Sequence, residues 1–81
     1  MGMYIRPAED VMAEGIEINV PSTYDDAKHQ LRDGEHLAAV AHRPHGMVAL
    51  LIAHRDDFDH VRKAGCAGMF IIADDLAKRA H

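Results

Sequence analysis

Seven histidines in 81 residues are the side chains of this chain most able to do chemistry: His29, His36, His42, His45, His54, His60 and His81. Imidazole ligates zinc and titrates near neutral pH, so a cluster of histidines would suggest a metal centre or a proton-transfer site. His29 and His60 each follow an aspartate, Asp25 and Asp56, at the i,i+4 spacing. On a helix that spacing brings the carboxylate and the ring together and would tune the imidazole as a base. The one cysteine, Cys66 in Gly65-Cys66-Ala67-Gly68, is a candidate thiol nucleophile.

The elements that must position these groups keep most of them apart. Two apolar runs, His36–His42 and Met47–Ala53, flank Arg43-Pro44-His45-Gly46. Pro presets φ and Gly tolerates positive φ, so the four residues predict a turn and the runs an antiparallel hairpin. The register pairs His42 with Met47, Val40 with Ala49, Ala38 with Leu51 and His36 with Ala53. His42 and His45 then sit at the turn, with His36 and His54 at the other end, about 20 Å away. Zinc needs three or four converging ligands, and the best remaining set is His36 and His54 with Asp56 or Asp57. Solvated histidines and local helix pairs account for the rest. Cys66 follows a predicted helix carboxyl end, where the dipole opposes a thiolate; a small, partly buried residue is expected there. No catalytic residue, cofactor or enzymatic activity is assigned from sequence.

Residues opposite each other across the hairpin share a face. Leu37, Ala39, Ala41, Val48, Leu50 and Ile52 form a wholly apolar face that should lie on the core. The other face carries His36, Ala38, Val40, His42, Met47, Ala49, Leu51 and Ala53, poor in charge and suited to a partner. His36, Ala38, Val40, His42, Met47 and Leu51 are the expected partner-binding residues.

Around the hairpin, Ile16–Val20 alternates as a half-buried strand ending at Pro21. Ser22 and the acidic pair Asp25-Asp26 start a helix expected over Thr23–Asp33, closed by Arg32 and Gly34. Asp56 and Asp57 start a second helix, with Phe58 and Val61 inward and Gly65 as its cap. Gly68–Ala73 is an apolar strand, and Asp74 caps a last short helix, Asp75–Ala80. Asp25, Asp26, His29 and Gly34 are matched in order and spacing by Asp56, Asp57, His60 and Gly65. Each half thus reads strand–helix–strand. The expectation is an α+β, ferredoxin-like βαββαβ fold: an antiparallel four-stranded sheet with two helices on one face. Residues 1–15 read as an N-terminal extension, with Met3–Arg6 a short strand and Pro7 opening a helix that Gly15 ends. Residues 16–81 read as a single domain.

A formal charge of −4 disfavours a nucleic-acid backbone as partner. The RNA-recognition module shares this strand order but stacks bases on aromatics of its central strands. Here those strands would be Ile16–Val20 and Met47–Ala53, which have none. A single cysteine, no leader-like start and no apolar run of membrane length point to a cytoplasmic protein. Asp25, Asp26, Asp56 and Asp57 form an expected acidic patch if the helix starts cluster. The sequence thus predicts a small non-enzymatic protein-binding module. It would be a regulator or inhibitor, of the kind exemplified by phage-encoded anti-CRISPR proteins, with a protein partner or a second copy bound. The alternatives are a small-molecule-responsive domain dimerising through its sheet and a histidine-based metal-binding protein.

Overall fold

The alternation around the Arg43–Gly46 turn sets the middle of the molecule. In the computed structural model, which describes residues 4–5 and 8–78, β3 (Glu35–Arg43) and β4 (Gly46–Ile52) form the expected antiparallel hairpin. Val40 faces Ala49, Ala38 faces Leu51 and His42 faces Met47. Pairing continues to Arg43 opposite Gly46, so the loop narrows to Pro44 and His45. Gly46 closes it at φ 121°, a conformation that favours glycine.

The other elements are β1 (Tyr4–Ile5), α1 (Ala8–Glu14), β2 (Ile16–Ile18), α2 (Tyr24–Lys28), α3 (Arg55–Ala64), β5 (Gly68–Ala73) and α4 (Asp74–Ala77). The sheet runs β1-β4-β3-β5-β2, with every neighbouring pair antiparallel. The fold is α+β, and each half keeps its strand–helix–strand order.

This strand order differs from the ferredoxin-like expectation, which puts Ile16–Val20 and Met47–Ala53 side by side at the centre. β3 and β5 are central instead, and β2 lies at the edge. Burial explains the exchange. A central strand is covered on both faces and tolerates no polar side chain. β5 reads Gly-Met-Phe-Ile-Ile-Ala, and β3 has an unbroken buried run from Leu37 to Ala41. β2 carries Glu17 and leaves Ile16 exposed, which an edge permits. The aromatic that β5 brings to the sheet centre, Phe70, is buried and offers no stacking platform.

Helices cover both faces of the sheet. Leu37, Ala39, Leu50, Ile52 and Met69 pack with Ala27 of α2 and Phe58 and Val61 of α3. This is the apolar face expected on the core, with both crossover helices on it. On the opposite face, Ala38, Val40, Ala49, Leu51, Phe70 and Ile72 pack with Ala8 and Val11 of α1 and Leu76 and Ala77 of α4. Tyr4–Ile5 and Ala8–Glu14 belong to this architecture. β1 pairs with Leu50 and Ala49 of β4, and α1 closes a core. Gly15 makes the crossing from α1 to β2: a Cβ there would stand 2.6 Å from the Val11 carbonyl oxygen and near Ile72 and Phe70.

Two helices depart from their expected bounds. α2 is capped by Thr23, whose Oγ1 accepts from the Asp26 N–H, and not by Ser22. It ends at Lys28, where Gln30 and Leu31 turn back to i−3 carbonyls, a tightened last turn. The last helix starts at Asp74 after an Ala73 N-cap; its expected end at Ala80 falls outside the described residues. α3 meets its expected inward residues and ends at Gly65, φ 101°.

Candidate functional site

The hairpin residues expected to meet a partner divide sharply. Ala38, Val40 and Leu51 lie beneath α1 and α4 and have no outer surface. His42 is exposed at the turn, and Met47 keeps 38% of its surface beside Met12 in a shallow hollow lined by Ala8 and Glu9. His36 is half-buried, with Nε2 2.8 Å from Asp74 Oδ1; Lys78 Nζ lies 3.0 Å from Asp74 Oδ2. The bonds from His36 and then from Lys78 hold the Asp74 carboxyl below its ordinary range. This cluster ties α4 to β3. The part of the expected partner face that carries Ala38, Val40 and Leu51 is thus covered by α1 and α4, and His42 and Met47 are its exposed members. Alternation could not reveal this, because a buried face and a partner face look alike in sequence.

The acidic helix starts are also redistributed. α2 and α3 begin side by side: Tyr24 donates to the Ala53 carbonyl, and Arg55 Nη2 lies 2.9 Å from Asp25 Oδ1. Arg55 neutralises Asp25 there. Asp57 is buried and accepts from the Ala53 and His54 N–H groups at the start of α3. Burial pushes its carboxyl up, but hydrogen bonds and charge interactions, these two N–H donors among them, hold it below the usual range. Asp26 and Asp56 alone of the four stay exposed without an ion pair among the described residues. Asp74 starts α4 across the sheet, so the three acidic starts do not converge.

No group of three His, Cys, Asp or Glu positioned for a metal occurs among the described residues. Within the same residues no hydrogen bond joins Asp25 to His29, Asp56 to His60, or a Ser, Thr or Cys side chain to a histidine. Cys66 is half-buried and donates to the Gly68 carbonyl at 3.0 Å; burial pushes its thiol up, away from thiolate chemistry. No helix among the described residues is long and apolar enough to cross a membrane.

The surface with the most unmet binding capacity is one the histidines and hairpin did not indicate. Among the described residues β2 has β5 as its neighbour on one side and no strand on the other. Ile16 is 64% exposed and Val20 43%. Beside this edge runs an open groove of about 750 Å³, lined by Glu17 to Ser22 and by Asp26 and Gln30. Strand and helix position it together. β2 stops at Ile18, short of the expected Val20; the chain runs on through the buried Pro21 to the Thr23 cap of α2, and Asp26 of α2 and Gln30 of the turn after it line the groove. Arg62 of α3 donates to the Ser22 carbonyl and anchors the connection. The sequence signal was available: a short alternating strand interrupted by Glu and ended by Pro is the signature of an edge.

Compared with known proteins, the chain matches no family model, no curated protein and no solved structure.

Proposed function

We propose that this chain is a small non-enzymatic protein-binding module, a regulator or inhibitor that acts by contact through the open β2 edge of its sheet. The observation that carries the reading is the exposure of Ile16 on β2 and of Val20 just past it, at an edge with no further neighbouring strand among the described residues. An open edge presents unpaired N–H and C=O groups, and a partner segment that adds as a strand satisfies them. Flanking apolar side chains give such a segment something to pack on.

Panning a displayed library of random peptides on the folded protein tests this. Wild type should enrich strand-forming sequences that move the amide resonances of Ile16–Ser22. A variant carrying Ile16→Ser and Val20→Ser should lose most of that enrichment. Equal enrichment by the variant would place the contact elsewhere, and no enrichment by wild type would sink the reading.

A further inference from the structure

We propose that the segment taken up along β2 is an extended peptide bearing Lys or Arg. This rests on the protein-binding reading above and names the chemistry of the partner. Among the described residues the groove lining has two carboxylates, Glu17 and Asp26, two amides, Asn19 and Gln30, and no basic side chain. Neither carboxylate belongs to an ion pair among the described residues.

Three cations near this end of the molecule are engaged elsewhere. Arg55 pairs with Asp25 and stacks over the Tyr24 ring. Lys28 lies over the same ring at 5.7 Å. Arg62 is tied to the Ser22 carbonyl and lies over Phe58. The Asp25–Arg55 pair leaves Asp26 as the carboxylate of that acidic pair that faces the groove. A basic side chain on an added strand meets two carboxylates that have no ion pair among the described residues, with Ile16 and Val20 in reach of its neighbours.

The same charge disfavours a second copy. A two-fold pairing of β2 strands centred on Glu17 would oppose two like charges, which is destabilising, and would join two chains of formal charge −4. An acidic segment is repelled for the same reason.

The test titrates isotopically labelled protein with three ten-residue peptides that share one alternating Val/Thr pattern. They differ at two matched positions, which carry Lys, Gln or Glu. The Lys peptide should shift the amides of Glu17–Ser22 and Asp26 and bind roughly tenfold tighter than the Glu peptide at low salt. Added salt should erode the difference, because exposed charges are screened. Glu17→Lys with Asp26→Lys should invert the preference. Glu17→Gln with Asp26→Asn should abolish it, and this variant keeps the side-chain volume should the first fail to fold. Equal binding of all three peptides would overturn the charge selection and leave strand addition standing. No shift at β2 with any peptide would overturn both. Concentration-dependent β2 shifts without peptide, together with a dimer mass, would give the edge to a second copy and overturn the proposal.

Discussion

Replacing Val40 with Asp separates a buried sheet face from an exposed one. Val40 is 1% exposed in the core closed by α1 and α4. Removing a buried Val side chain forfeits about 1.5–3 kcal/mol of transfer free energy. The new carboxyl must also leave water without a partner, at a cost of about 2 kcal/mol or more even when it keeps its proton. A domain of this length has about 4–12 kcal/mol of stability in all, so Val40→Asp should lose about 4 kcal/mol or more, a third of that stability at the least. Met47→Asp, on the same strand-pair face but at 38% exposure, should cost about 1 kcal/mol or less. Urea denaturation followed by far-UV circular dichroism reads both. The pH dependence adds a second test. Burial raises the folded-state pKa of the introduced Asp above its unfolded value. Its penalty is therefore smallest below the unfolded value, near 3.9, and grows as pH rises through the folded one. The gap between variant and wild type should narrow on acidification. A Val40→Asp protein with the wild-type midpoint at pH 7 would refute the helical cover and return this face to solvent.

Gly15→Ala should lower stability by about 1–3 kcal/mol, visible in a thermal melt, because its Cβ would meet the Val11 carbonyl at 2.6 Å; an unchanged melt would contradict the close crossing of α1 onto the sheet. Asp57→Ala removes the acceptor of the Ala53 and His54 N–H groups and should cost about 1–3 kcal/mol in chemical denaturation. The Asp57 carboxyl lies below its ordinary range when folded, so its contribution is full above the unfolded pKa and is lost as pH falls through the folded value. The variant should accordingly lose less stability in acid than wild type does, and a parallel acid profile would argue against this. Asp74 follows the same sign through its bonds to His36 and Lys78. Asp74→Asn should lower the melting temperature at pH 7, with the difference closing in acid; a constant difference would show that its charge plays no part.

The hairpin was legible because its two runs alternate around a Pro- and Gly-bearing turn, so pairing Val40 with Ala49 follows from the turn alone. The inward placement of Phe58 and Val61 was legible for the same local reason, helical spacing between a start and a stop. Strand order was not, because it depends on which halves meet. The near-repetition of the helix starts suggests a symmetric join through Ile16–Val20 and Met47–Ala53. The protein joins β3 to β5, a choice written in composition: Gly68–Ala73 has no polar side chain, whereas Ile16–Ile18 contains Glu17. The cover over Val40 was hidden because Ala8 and Val11 supply too short an apolar stripe to announce a core helix. In the sequence Asp57 reads as part of an acidic patch, since neither its burial nor its N–H donors show there. The β2 edge was legible only in part: Glu17 in a short alternating run ahead of Pro21 marks an edge strand, but which of its sides is bare follows from the strand order.

The central place of β5 has a consequence for how the chain becomes folded as it is synthesised. β3 and β4 are adjacent in sequence and can pair as soon as both exist. β2 is made before either, yet its sheet neighbour is β5, the last strand to appear. Until Gly68–Ala73 emerges, β2 has no ladder to join and one edge of β3 stays bare. Assembly therefore waits on non-local closure, the kind of contact that slows folding and leaves apolar strand edges open to other chains meanwhile. A nascent chain stalled before Gly68 would expose two unpaired edges, whereas one released after Ala73 has the strand that seals them.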